Sequence, residues 1–274
     1  MRIHFVASTA FVLLTSTAAL ASENDAYILQ VGNRDKVSQT QEGFGDDAVA
    51  IQAGNRNRAT QNQLAGSAGN LAFSLQTGRL NTVKQTQGAE GVIVNTFRPA
   101  DHSGPVKTRS TFDIASVSSA AVAVQAGVRN MATQTQIGAD NLAASVQLGK
   151  DNYVDQTQGT IGKTTSTYTS TSPAGRGTVR SDDPISSFGS FAGVLQVGDW
   201  HGAIQEQSGI GHTALALQVG SDDGSYQTQT GFGQEALSIQ FGAANRSTQT
   251  QSGLANTGAV VQAGVGNYAF QTQK

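Results

Sequence analysis

One glutamine returns along this chain at intervals that fix its architecture before any local pattern is considered. It stands at Gln30, Gln52, Gln76, Gln125, Gln147, Gln196, Gln218, Gln240 and Gln262. Five of the eight steps are 22 residues, one is 24 and two are 49. Two residues after each comes a glycine: Gly32, Gly54, Gly78, Gly127, Gly149, Gly198, Gly220, Gly242 and Gly264. Five residues after it stands Asn57, Asn81, Asn130, Asn152, Asn245 or Asn267, with Asp35, His201 and Asp223 in the other units. A second glutamine closes each unit at Gln41, Gln63, Gln87, Gln136, Gln158, Gln207, Gln229, Gln251 and Gln273. Self-similarity at a fixed period of 20 to 50 residues marks a stacked-repeat architecture.

Within each unit the pattern is that of strands. Ala48-Val49-Ala50-Ile51-Gln52 and Ala214-Leu215-Ala216-Leu217-Gln218 alternate with a period of two, and no segment carries a 3.6-residue apolar period. Gly-x-x-Asn then offers residues tolerant of positive φ where the chain must reverse. A more polar second strand follows, as in Thr133-Gln134-Thr135-Gln136 or Thr248-Gln249-Thr250-Gln251. A two-strand unit cannot bury its own face, so copies must stack. The expected fold is all-β: a cross-β solenoid of nine strand-turn-strand rungs of about 22 residues. At a strand spacing of roughly 4.8 Å the column stands about 40 Å tall, with Gln above Gln and Asn above Asn, their amides bonding along the stack.

The two long steps hold insertions at one rung corner, residues 88–118 and 159–187. The first contains Pro99 and Pro105, and the second a polar run from Thr164 to Pro173; both are expected to be mobile loops. Residues 1–21 have the form of a secretory signal: Arg2, a short apolar run, and Ala19-Leu20-Ala21 before Ser22. The run is too short for a comfortable transmembrane span. The organised part is therefore expected to be 22–274, an exported chain without a membrane segment after cleavage.

Chemistry finds little purchase. There is no cysteine, so disulfides and thiolate catalysis are excluded. A net charge of −2 argues against an electrostatic grip on nucleic acid. His102 falls in an insert and His201 and His212 at turn positions, without zinc-ligand spacing. Asp46-Asp47 and Asp222-Asp223 lie at turns rather than as an acid–base pair across a cleft. Gly43-Phe44-Gly45, Gly231-Phe232-Gly233 and Gly264-Val265-Gly266 lack the third glycine and helix of a dinucleotide loop. No enzyme activity, cofactor, metal or catalytic residue is expected. Thr40, Thr86, Thr135, Thr157, Thr228, Thr250 and Thr272 would form an outward threonine ladder, which leaves a soluble solenoid binding ice, carbohydrate or a receptor as the competing reading.

The unit resembles the curlin repeat of the major and nucleator subunits of bacterial curli fibres. Its pattern S-x5-Q-x-G-x-x-N-x-A-x3-Q is matched at Gln52, Gly54, Asn57, Ala59 and Gln63, and at Gln125, Gly127, Asn130, Ala132 and Gln136. The resemblance covers residues 24–274 apart from the inserts. It implies an extracellular functional amyloid for adhesion and biofilm matrix, with self, a related nucleator or major subunit and an outer-membrane secretion pore as partners. The first-strand Gln would then face inward, leaving Val49, Ile51, Phe73, Leu75, Leu215, Leu217, Leu237 and Ile239 as an exposed stripe fit for lateral packing; in the opposite orientation these large apolar residues face inward and the first-strand Gln ladder lies on the surface. Both ends of the stack are expected to be open edges that template further strands.

Overall fold

A computed structural model describes the chain apart from residues 1, 6–14, 19–22, 99–105, 170–175 and 186, and describes side chains outside 1–22, 90–114 and 160–186. The described chain forms nine stacked rungs and contains no helix. Each rung has an a-strand and a b-strand, from Asp25–Asn33 with Lys36–Gln41 in rung 1 to Thr257–Val265 with Tyr268–Gln273 in rung 9. The a-strands of rungs 1 to 9 follow one another in a single parallel sheet, and the b-strands do the same in a second. Registers are exact, so the repeat seen in the sequence is also the repeat in space. Gln30 pairs with Gln52, Gln52 with Gln76, and Gln125 with both Gln76 and Gln147.

The interior between the two sheets is narrow because the inward residues are small. Ala48, Ala50, Ala72, Ala121, Ala123, Ala143 and Ala192 line the a-sheet, and Val37, Ala59, Val83, Ala132, Val154 and Ala203 the b-sheet, all buried. Long inward glutamines fill the remaining space and reach across it. Their amides bond backbone of the opposite sheet: Gln52 donates to Lys36 O, and Gln61 to Val49 O. This interior is a polar one, satisfied almost throughout, as burial of amides demands.

The turn between strands departs from the sequence expectation in one detail. The glycine after the leading Gln does take positive φ, for example +128° at Gly127. The second left-handed residue is not the Asn but the residue before it: Arg34, Arg56, Leu80, Arg129, Asp151, Trp200, Asp222 and Ala244 all have φ between 55° and 65°. The glycine is required by space as well as by φ. A β-carbon on Gly127 would overlap the carbonyl oxygen of Gly149 in the next rung.

The inserts, expected as loops, carry strands. The first is a hairpin of Ala89–Arg98 and Val106–Ile114, and the second a hairpin of Thr160–Thr169 and Arg176–Ile185. They join through an antiparallel pairing of Arg176–Ser181 with Arg98–Ile93, making one four-stranded sheet. Both leave the same corner, after Gln87 and Gln158, only two rungs apart, and are similar in length. The Thr-rich run has nothing to bury, yet Thr, Tyr and Val are good strand formers, and the second hairpin meets its backbone needs by pairing with the first. The extra two residues of the 24-residue step are absorbed at the same corner near Ser67, whose hydroxyl bonds the Asp46 carboxylate at 2.6 Å.

Of residues 1–22, Arg2–Phe5 pairs in parallel with the rung 1 a-strand and Thr15–Ala18 with its b-strand. The expected cleavage site at Ala19-Leu20-Ala21 lies outside the described residues.

Candidate assembly interface

The inward glutamines form three continuous amide ladders. Along the first, each Nε2 donates to Oε1 of the next leading Gln, from Gln30 through Gln52, Gln76, Gln125, Gln147, Gln196, Gln218 and Gln240 to Gln262, at 2.6 to 3.0 Å. The closing glutamines form the second ladder from Gln63 to Gln273, through Gln87, Gln136, Gln158, Gln207, Gln229 and Gln251. Gln41 stands off it, because its amide donates to Asp25 O and Asp46 O, and Gln63 Oε1 is left without a donor.

The third ladder was not singled out from the sequence. It runs through the middle of the b-strands, Gln39, Gln61, Gln85, Gln134, Gln156, Gln205, Gln227, Gln249 and Gln271. The signal for it was present. Q-x-Q places both glutamines on one face of a strand, so if one faces inward the other must as well.

Every ladder runs in the same sense. Each Nε2 points toward the higher-numbered rung, and a second bond fixes that orientation: Gln125 Nε2 also donates to Thr82 O, and Gln134 Nε2 to Val122 O. The stack is therefore polar. Rung 1 presents amide oxygens, with Gln39 Oε1 lacking any partner among the described residues. In rung 9, Gln262 and Gln271 accept from the rung before, and among the described residues no further rung receives their Nε2 hydrogens.

The asparagine corner shows the expected amide-on-amide bond where Asn267 Nδ2 donates to Asn245 Oδ1 at 2.8 Å, but most of the line works differently. Its side-chain oxygen accepts the backbone N–H of its counterpart one rung on, as Asn57 does from Asn81 and Asn81 from Asn130. Its Nδ2 donates to the next rung's glycine carbonyl, Asn57 to Gly78 O and Asn152 to Gly198 O. Only an acceptor is needed, so Asp35, His201 and Asp223 serve in the same line. Asp35 is buried there, and burial pushes its carboxyl upward against the hydrogen bonds from Asn57. A matching line at the opposite corner runs through Asn24, Asp46, Asn70, Ser119, Asn141, Ser190, His212 and Gln234. His212 accepts Gln234 N–H on Nδ1 and bonds Ser208 O through Nε2, the arrangement of a neutral ring. Burial holds its pKa below the ordinary imidazole value.

Three surfaces remain for contact. The outer a-face stacks apolar residues in register, Leu217 on Ile239 on Val261, and Val49 on Phe73 on Val122. The outer b-face is polar, and its threonine row is interrupted by Asn62 and Glu206. The third is the far side of rung 9, where among the described residues neither strand has a second neighbour. Rung 9 bares Val265, Tyr268 and Phe270, each at least 75% exposed, while the counterpart strands of inner rungs are half-buried.

No protein-family model matches the chain, and no curated protein matches it. Among the described residues no group of three or more His, Asp or Glu is placed to hold a metal ion, and no helix is long and apolar enough to cross a membrane.

Proposed function

We propose that this chain is an exported structural subunit that adds end to end to copies of itself, building a cross-β fibre of the curli kind for adhesion and matrix formation. The observation that carries the reading is the polarity of the stack. A face that ends in amide donors and a face that ends in amide acceptors are complementary, so one copy can continue the ladders of another without a turn or flip. Such a head-to-tail contact does not close on itself and gives a filament. Among the described residues the far side of rung 9 is an unpaired parallel edge in both sheets, the kind of edge that soluble proteins normally block with charge or a covering segment.

Leader cleavage after Ala21 would remove Arg2–Phe5 and Thr15–Ala18 from rung 1 and bare the acceptor face at export. The likeness of the repeat to curlin units points to the partners: the same chain, a related nucleator or major subunit, and a secretion pore. The apolar a-face then runs unbroken along the fibre and favours side-by-side bundling.

The test is seeded growth of the cleaved chain followed by thioflavin fluorescence and electron microscopy. Fibres whose lag is abolished by sonicated fragments support the reading. A chain that stays monomeric at micromolar concentration with and without fragments rules it out, and directs attention to the soluble-binder alternative.

A further inference from the structure

The net charge of −2 conceals a separation of charge within the first three rungs. The corner joining their a- and b-strands carries Arg34, Lys36, Arg56, Arg58 and Arg79, all exposed. Parallel register sets Lys36 directly beside Arg58 and Asn55 beside Arg79, and Arg56 N donates to Asn33 O, so the cations climb the corner at about one strand spacing, roughly 4.8 Å. The one carboxylate at this corner in these rungs, Asp35, is turned into the interior and 7% exposed. The exposed acids of the same rungs, Glu23, Asp25, Glu42 and Asp47, sit at the opposite corner. That is six residues away along the b-strand and nine along the a-strand, about 20 to 30 Å, against a Debye length of about 8 Å in physiological salt.

Further along the same corner the chain handles charge differently. Arg129 pairs with Asp151, Lys150 with Asp199, and Arg246 with Asp222. None of the five corner cations of rungs 1 to 3 is in an ion pair among the described residues. The repeat does not require them, since the positions of Lys36 and Arg58 hold Thr82, Met131, Gly202 and Gly224 in other rungs. Like charges placed directly opposite across strands cost stability. A row kept despite that cost, and left uncompensated only here, has the character of a binding site.

We propose that the corner of rungs 1 to 3 binds an extended linear polyanion, specifically an acidic polysaccharide with carboxylates repeating along its length. The row is long and one corner wide, which suits a single extended chain. Four of its five cations are arginines, whose planar fork matches a carboxylate in a bidentate manner. Residues 33–36, 55–58 and 79–82 include no aromatic side chain, so the corner lacks the stacking platform typical of single-stranded nucleic-acid sites. The site belongs to one chain and does not depend on polymerisation.

The experiment uses fluorescein-labelled polygalacturonate and freshly purified chain shown to be monomeric by light scattering, with anisotropy read at about 50 and 200 mM salt. Neutral dextran and a DNA duplex of equal charge serve as comparison ligands. The unmodified chain should bind polygalacturonate with affinity that falls as salt rises. The variant R34Q/K36Q/R56Q/R58Q/R79Q should lose at least about tenfold and most of the salt dependence. R129Q/K150Q/R246Q, which removes paired cations from the same corner, should stay within about twofold. Should the five-site variant lose its β circular dichroism, K36Q and R58Q singly carry the test, each weakening binding measurably. Absence of binding by the unmodified chain at low salt, equal loss in both sets, or tighter binding of the DNA duplex overturns the proposal.

Discussion

Replacing Gln156 with alanine isolates what one amide contributes to the interior. Gln156 is fully buried; its Nε2 donates to Gln205 Oε1 at 2.9 Å, to Ala144 O at 3.0 Å and to Ala192 O at 2.9 Å, and its Oε1 accepts from Gln134 at 2.9 Å. After substitution Gln134 Nε2 keeps its bond to Val122 O, so its cost is small. Gln205 Oε1 loses its only donor and stays buried, a loss of about 1–3 kcal/mol. The two carbonyls each lose a bond worth about 0.5–1.5 kcal/mol, and the vacated space adds to this. The expected destabilisation is roughly 3–5 kcal/mol, a large share of the ~5–15 kcal/mol that holds an ordinary domain together. Gln271 in rung 9 is partly exposed and accepts one bond, from Gln249, so Q271A should cost less than about 1 kcal/mol. Urea unfolding of monomer at low concentration, read by circular dichroism, measures both. A Q156A loss below about 1 kcal/mol, or equal losses at the two sites, would refute the view that buried amide ladders hold the stack.

Assembly should show the reverse ranking: substitutions at Gln30 and Gln262 slow fibre growth more than one at Gln147, as read from elongation rates on fixed seeds, and equal slowing at every rung would count against templating at the terminal rungs. Gly127→Ala should cost more than about 3 kcal/mol, because its β-carbon collides with backbone in the next rung, whereas Gly45→Ala, with φ of +64° but open space, costs only about 1 kcal/mol of left-handed strain. The depressed pKa of His212 means that the unfolded chain takes up a proton the folded chain resists. Stability is then full above about pH 6.5 and declines as pH falls through the lower folded-state value, and H212N, which copies Asn24, Asn70 and Asn141, should flatten this part of the urea-midpoint profile.

Much of the fold was legible because exact periodicity is a global constraint. A Gln, Gly and Asn recurring in register fix strand order and parallel pairing together, and the stacked rungs keep both, whereas the inward face of the a-strand followed only from the curlin resemblance. Other features depend on contacts that one unit does not reveal. The Q-x-Q spacing implied the ladder from Gln39 to Gln271, yet only the narrow alanine-lined interior makes both glutamines necessary. The corner asparagines read as turn residues, while the left-handed φ falls one position earlier, on Arg56 or Trp200, where no propensity rule places it. Their substitution by Asp35, His201 and Asp223 makes sense once the role is to accept a backbone N–H from the next rung. The inserts were hardest, because each hairpin pairs one of its strands with the other hairpin, 78 to 88 residues away, from Arg98 beside Arg176 to Ile93 beside Ser181.

The central claim, that complementary polar ends let copies continue one stack, is tested most directly by fibre diffraction on aligned, seeded material from the cleaved chain. A sharp meridional reflection near 4.7 Å and unequal growth rates at the two ends of each seed under direct imaging are expected. Equal growth at both ends, or a β-rich monomer that seeds never recruit, would contradict it.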